Sequence, residues 1–368
     1  LTEIDEQMMR RALELAARGV GQVSPSPLVG CVVTDAGGAV AGEGCYLWDG
    51  VQHAEAIALA QAGARARGGT AYVSLEPHAH QGRTPPCTEA LIRAGVRRVV
   101  AAVEDANPLV CGRGFAALRA AGLEVVAGVL AEEAARLNEK YIHHQRTGRP
   151  FVHLKLACSL DGRIATRAGD SRWITGPAAR ARVHELRHEY DAILVGSGTA
   201  RADNPALTDR SGRARRRPLA RVVLDERLEL APASQLAQTA REAPVIVFTQ
   251  VAPDAPRARE LAALGVELVA GGRDLGVVLD ELARRAYASL LIEGGAGVAG
   301  AFLDAGLVNK ASFFLAPLII GGRDAPNAIA GAGPELLADA VRLSGATITQ
   351  HGPDVEITGY LSSAESSE

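Results

Sequence analysis

Short apolar runs alternate with amphipathic stretches along most of the chain. Met8, Met9, Ala12, Leu13 and Ala16 recur at helical spacing and end at Gly19. "VGCVVTDAGGAVAGEG" then gives two strand-like runs around an Asp–Ala–Gly–Gly turn. A helix is predicted from His53, a strand at "TAYVSLEP" and a helix opened by Thr84, Pro85 and Pro86. The strand "VRRVVAAVED", the helix "GFAALRAAG" and the strand "LEVVAGVL" follow. "AEEAARLNEKYIHHQRTG" predicts one last helical stretch leading to Gly148 and Pro150, where a domain boundary is placed.

From 151 the alternation restarts with "FVHLKLACSLDGRIA", the helix "PAARARVHELRHEY" and the strand "DAILVGSG". Further strands are predicted at "LARVVLD", "APVIVFT", "VELVA", "SLLIEGG" and "ASFFLAPLII", with helices at roughly 274 to 286 and 297 to 305. The pattern is that of an α/β protein with two domains, 1–148 and 149–362, and a polar tail, 363–368, expected to be disordered. No internal repeat is found.

Composition agrees with this division. A chain of 368 residues is too long for one ordinary core, and 48% hydrophobic with 22% charged residues is the balance of a folded globular protein. Aromatic residues make up only 4%, so the cores must be built from small aliphatic side chains. A net charge of −3 predicts no general attraction to nucleic acid or to an anionic membrane. The one basic run, "RSGRARRR" at 210 to 217, is expected to be a solvated loop. Five cysteines without regular spacing argue against a disulfide framework and for a reducing cytoplasm. No apolar run is long enough to span a bilayer, and the partly acidic N-terminus suits a folded helix better than a targeting peptide.

The candidate chemistry begins at "QHAEA". Zinc deaminases use His–x–Glu plus two further ligands, the Glu moving protons and binding no metal. His53 and Glu55 match this first half, which alone is a weak signal. Downstream, "SLEPHAHQGRTPPC" ends a strand at Glu76–Pro77 and places Cys87 after two prolines at a helix start. The positive end of a helix favours a thiolate there.

"SPSPLVGCVV", "HAEA", "SLEPHAHQGRTPPC" and "GRGFAALRAAG" together resemble the deaminase half of the bifunctional riboflavin-biosynthesis deaminase/reductase family. The resemblance implies a cytidine-deaminase-like three-layer domain. In that family the second segment reads Glu–Pro–Cys–x–His–x–Gly–Arg–Thr–Pro–Pro–Cys, so His78 stands where a cysteine ligand is usual. The implied zinc ligands are His53, His78 and Cys87, with Glu55 catalytic; His80 as the ligand, or a site without metal, are the alternatives. An imidazole in place of a thiolate leaves the metal one charge more positive. Ser26 replaces a family Asn, and Tyr46 stands where a His is usual.

In the second half, "LIEGGAGVAGAFLDAG" carries Gly295, Gly297 and Gly300 between a strand and a helix, literally a GxGxxG. Its place near the end of its domain argues against a Rossmann unit, although a helix N-terminus still suits a phosphate. "KLACSLDGRIA", "SRWIT", "ILVGSGTARADNPALTDR" and "IEGG" resemble the reductase half of the same family, which implies a dihydrofolate-reductase-like α/β domain. By that resemblance Ala157, Trp173, Thr199, Asp203 and the loop from Gly295 to Gly300 hold the nicotinamide cofactor. Ser171, Leu207, Glu293, Arg187 and Arg210 contact substrate, the two arginines offering guanidinium forks to a sugar phosphate. Lys155 and Asp161 flank "ACSLDG" and could form a buried ion pair. Glu226 occupies a position where the family often has a small hydroxyl residue near the cofactor. A carboxylate there would repel a 2′-phosphate, so NADPH is expected with NADH as the alternative.

The implied function is a two-step enzyme of flavin synthesis. Hydrolytic deamination of 2,5-diamino-6-ribosylamino-4(3H)-pyrimidinone 5′-phosphate is followed by reduction of the ribosyl to the ribityl chain. The expected partners are these small phosphates and further copies of the chain in a homo-oligomer, with no nucleic acid and no membrane. A tRNA-adenosine-type deaminase with an appended domain, and a non-catalytic N-terminal module beside a working reductase, are the rival readings. Acidic net charge and few aromatics for base stacking weigh against the first.

Overall fold

Helix α1 (Glu3–Ala17) is closed at its start by a capping box, in which Asp5 N donates to Thr2 Oγ1 at 3.2 Å and Thr2 N donates to Asp5 Oδ2 at 3.0 Å. The same Asp5 carboxylate is buried and receives two N–H groups of Arg98 at 2.6 and 3.0 Å, which ties α1 to the start of an inner strand. The computed structural model describes residues 2–48, 52–82, 84–271 and 274–361; the tail 363–368, expected to be disordered, lies outside them. The chain divides into two units, Leu1–Arg149 and Pro150–Glu368.

Unit one is built on a five-stranded sheet of β1 (Gly30–Thr34), β2 (Val40–Cys45), β3 (Thr70–Val73), β4 (Arg98–Ala101) and β5 (Glu124–Ala127), in the order β2-β1-β3-β4-β5. β1 runs antiparallel to both its neighbours, and β3, β4 and β5 are parallel. Alternate side chains feed two cores. Val32, Tyr72 and Val100 pack with Met9, Ala12 and Leu15 of α1, whereas Cys31, Val33, Ala71 and Val99 face the other way. That second core contains Ala54, Ala58 and Ala62 of α2 (Ala54–Ala62), Leu91 of α3 (Cys87–Ala94) and Leu118 of α4 (Arg113–Ala120). The result is three layers, with the alanines of α2 allowing close approach to the sheet.

"AEEAARLNEKYIHHQRTG" forms two helices, α5 (Ala131–Leu137) and α6 (Glu139–Thr147), where one was expected. The break has a physical cause at Asn138, which is buried. Its Oδ1 accepts from Leu28 N at 2.8 Å and its Nδ2 donates to Leu28 O at 2.9 Å, pinning the segment before β1.

Unit two holds a nine-stranded sheet of β6 (Phe151–Ser159), β7 (Ala192–Gly196), β8 (Ala220–Leu224), β9 (Val245–Thr249), β10 (Glu267–Ala270), β11 (Ser289–Ile292), β12 (Lys310–Ala316), β13 (Leu343–His351) and β14 (Asp354–Leu361). The order is β10-β9-β8-β7-β11-β6-β12-β14-β13. The first seven are parallel and the last two add antiparallel. Helices α7 (Pro177–Glu189), α8 (Ser197–Asp203), α9 (Gln235–Gln238), α10 (Pro256–Ala263), α11 (Leu275–Arg284) and α12 (Ala296–Asp304) cover its faces. Val152, Leu154 and Leu156 point to one face and join a core with Leu279 and Phe302, while Phe151 packs on the other with Val183 and Leu186 of α7.

The structure departs from expectation at four further places. The strand "ASFFLAPLII" stops at Ala316, because Pro317 supplies no N–H to the ladder. The β13–β14 hairpin was not foreseen. The basic run is only partly solvated: Arg215 donates to the carbonyls of Arg187, His188 and Tyr190 at 2.7–3.0 Å and to Asp209, and Arg217 donates to the carbonyl of Ala286 at 2.6 Å. Lys155 and Asp161 do not pair. Lys155 Nζ lies 3.9 Å from Glu293 Oε2, and Asp161 accepts from Ile320 N and Gly321 N.

Candidate active sites

In unit one, His53 stands just before α2 in extended conformation, and Glu55 in its first turn is buried. Cys87 is the first residue of α3, reached from the end of β3 by the segment carrying His78. One ligand atom from each of His53, His78 and Cys87 lies within 4.8 Å of the others, the one such cluster among the described residues. His53 Nδ1 faces Cys87 Sγ at 3.3 Å, while its Nε2 meets Thr84 Oγ1 at 3.1 Å. His80 is outside this triplet, its ring 5.3 Å from that of His78.

The donor set fits a divalent metal. Burial, with His53 and His80 nearby, pulls His78 down to about 4, so its imidazole is neutral and free to ligate. Burial and the neighbouring Glu55 push the Cys87 thiol well up when no cation is bound. Glu55 Oε2 is buried without a hydrogen-bond partner. A buried carboxylate beside a buried thiol is a place where a cation stabilises what would otherwise be costly.

A cavity of about 280 Å³ opens onto this cluster. Ser26, Tyr46, Glu55, His80, Asp105 and Tyr141 are among its walls. Tyr46 packs edge-on against His53, with ring centres 5.4 Å apart. Asp105 and Tyr141 were not singled out from sequence. Tyr141 Oη donates to Asp105 Oδ1 at 2.8 Å, and burial raises the Asp105 carboxyl. Behind them Glu76 accepts from the backbone N–H groups of Asp105, Gly112, Gly114 and Phe115 at 2.8–3.2 Å. This one buried carboxylate fixes the loop that carries Asp105.

In unit two, a cavity of about 720 Å³ lies at the C-terminal ends of β6, β7 and β11. It collects Ala157, Ser171, Thr199, Asp203, Glu293, Gly295 and Gly297 from the predicted residues, together with Lys155. Glu293 forms a fork-to-fork pair with Arg187, at 2.7 and 2.9 Å. Burial alone would raise Glu293, but Arg187 and then Lys155 bring it down to about 2. Burial lowers Lys155, and Glu293 offsets part of that. Among the described residues Lys155 is the only cationic side chain on the cavity wall.

The other predicted residues are not on that wall. Trp173 is 69% exposed with the Arg180 guanidinium 4.6 Å over its ring. Leu207 has φ +50° and buries its side chain in a core with Ile193 and Leu219, so any substrate contact would use its backbone. Arg210 is exposed, its Nε on Thr208 Oγ1 at 3.2 Å. The backbone carbonyl of Glu226 accepts from Gln250 N at 3.0 Å. Gly300 serves packing: a Cβ there would sit 1.4 Å from the Ala330 carbonyl oxygen.

Fold and site define a metal-dependent deaminase domain of the cytidine-deaminase type joined to a dihydrofolate-reductase-like reductase domain. Residues 2–103 match the cytidine and deoxycytidylate deaminase zinc-binding region, and residues 150–357 match the RibD C-terminal domain. The riboflavin biosynthesis protein RibD of Bacillus amyloliquefaciens is 43% identical over 358 residues, covering 96% of each chain. That of Escherichia coli K12 is 42% identical, covering 95% of this chain and 98% of its own. A solved structure of Acinetobacter baumannii RibD superposes with TM-score 0.88 at 38% identity, over 98% of this chain and 99% of that one. A Thermotoga maritima diaminohydroxyphosphoribosylaminopyrimidine deaminase/5-amino-6-(5-phosphoribosylamino)uracil reductase gives 0.87 at 35%, with the same coverage. The chain belongs to the RibD family of bifunctional riboflavin-biosynthesis deaminase/reductases, and zinc is the metal of its deaminase domain. No helix among the described residues is long and apolar enough to cross a membrane.

Proposed function

We propose that unit one removes the ring amine of 2,5-diamino-6-ribosylamino-4(3H)-pyrimidinone 5′-phosphate and that unit two reduces the ribosyl chain of the product with NADPH. The observation carrying the first half is the meeting of His53, His78 and Cys87 beside a buried Glu55 with an unpartnered oxygen. His53, His78 and Cys87 hold the metal, whose Lewis acidity makes water a nucleophile near neutral pH. Glu55 takes a proton from the attacking water and returns it to the departing nitrogen, so that ammonia leaves neutral. Ser26, Asp105 and Tyr141 supply hydrogen bonds to the pyrimidinone, and Tyr46 closes the wall over His53.

In unit two, Ala157, Thr199, Asp203, Gly295 and Gly297 line the cofactor's share of the cavity, and Ser171 and Glu293 the substrate's. A nicotinamide bound there would supply the hydride that reduces C1′ of the ribosyl chain. Lys155, on the same wall, supplies the proton that balances it. Arg187 holds the Glu293 carboxylate and leaves the exposed Arg210 to meet the phosphate.

Two measurements on purified protein test this reading: zinc per chain, and ammonia release from the diaminopyrimidine phosphate followed by NADPH oxidation. One zinc per chain with both activities is the expected result. A chain that oxidises NADPH only when given the deaminated compound, and binds no zinc, would leave unit two alone as the enzyme.

A further inference from the structure

The metal-site triplet accounts for His53, His78 and Cys87 but not for the residue between them. Thr84 lies three residues before Cys87, half-buried on the cavity wall. Its Oγ1 sits 3.1 Å from His53 Nε2, the ring nitrogen directed away from Cys87. Its carbonyl accepts from Gly82 N at 3.2 Å, within the segment that leads to α3. A ligating imidazole needs a partner on its second nitrogen, which fixes its tautomer and its rotation. Here Thr84 Oγ1 is that partner for His53.

We propose that Thr84 is a positioning residue of the zinc site, holding the His53 imidazole in register while the turn it begins delivers Cys87. The proposal rests on His53, His78 and Cys87 being the ligands. With Nδ1 of His53 facing Cys87, the Nε2 proton is donated to Thr84 Oγ1, and the hydroxyl proton remains available to the cavity. A carboxylate or a backbone carbonyl is the commoner acceptor for such a ring N–H. A hydroxyl is uncharged, so it orients the ring without adding negative charge next to Glu55 and Cys87. It also explains the position in the chain: Pro85 and Pro86 stiffen the link to α3, so the distance from Thr84 to Cys87 is held by the backbone itself.

The test is zinc affinity of the full-length chain, read by competition with a chromophoric chelator, together with cobalt substitution read by its visible absorption. Thr84→Val keeps the shape and removes the acceptor; Thr84→Ser keeps the hydroxyl. Thr84→Val should raise the zinc dissociation constant about 10–100-fold and alter the cobalt spectrum, whereas Thr84→Ser should stay within about threefold of the parent. Valine with parent affinity, or serine as weak as valine, overturns the proposal. Should the valine protein fail to fold, the His53 ring N–H in the zinc-loaded parent decides: protection from solvent exchange supports the contact, and rapid exchange overturns it. A parent chain that binds no zinc refutes the ligand set itself, which is a different outcome from an unaffected Thr84→Val protein.

Discussion

Arg187 and Glu293 spend their forks on each other. Nε and Nη2 of the arginine meet the two carboxylate oxygens at 2.7 and 2.9 Å, and Nη1 goes to the Thr208 carbonyl at 3.2 Å. An arginine so engaged is a support for Glu293 more than a hand for phosphate. Removing it leaves a buried carboxylate short of its main partner. Arg187→Ala should therefore destabilise unit two by roughly 3–5 kcal/mol, read by urea unfolding, and depress the reductase while deamination persists.

The same pair sets a pH dependence. Glu293 falls from an ordinary value near 4.5 to about 2 in the folded chain. Its contribution to stability is thus fully present above about pH 4.5 and is lost as pH falls towards 2. Unfolding midpoints between pH 5 and 3 should drop less steeply in Glu293→Gln than in the parent. Identical slopes would show that other carboxylates dominate acid unfolding.

His78 and His80 are neighbours with different duties. His78→Ala should lose most bound zinc, since a ligand inside the 4.8 Å triplet is gone, and His80→Ala should keep it. Metal analysis after gel filtration separates them, and the reverse pattern would move the ligand to His80.

Glu55→Gln should bind zinc normally and deaminate at least a hundredfold more slowly, because an amide cannot accept and return a proton. Activity within about tenfold of the parent, about 1.4 kcal/mol in barrier, would remove Glu55 from proton transfer.

For cofactor choice the informative residue is Glu226. Two like charges about 4 Å apart near a surface repel by roughly 4 kcal/mol before screening. If Glu226 faces the 2′-phosphate, Glu226→Ser lowers the KM for NADPH and leaves that for NADH unchanged or higher. An unchanged NADPH constant places the side chain elsewhere.

The parts of this molecule legible in the sequence are those written locally. The two His and Cys starts of α2 and α3, the alternation of β6 to β12 and the glycine loop before α12 all declare themselves within about fifteen residues. What was missed is written across long separations. Glu76 reaches amides 29 to 39 residues away, and Asp105 meets Tyr141 36 residues on. Arg221, only 1% exposed, donates to Thr239 and to the carbonyl of Ala243, which no pattern of charges announces. The β13–β14 hairpin escaped because β13 is exposed at most positions and so lacks an apolar alternation. In Arg215 and Arg217 the basic run looked like solvent-facing charge, yet carbonyls left over at the ends of α7 and α11 recruited those guanidinium groups.

The three glycines of the 295–300 loop are interchangeable in a motif but unequal in tolerance. A methyl group at Gly297 would meet open space, one at Gly295 would press on Thr199, and one at Gly300 would collide with the main chain at Ala330. Ala330 N in turn donates to Ala296 O at 3.0 Å. The first turn of α12 and the strand-to-hairpin crossing are thereby riveted together. Substitution is therefore free at the middle glycine and closed at the last, so libraries randomised over this segment should accumulate changes at 297 and leave 300 untouched.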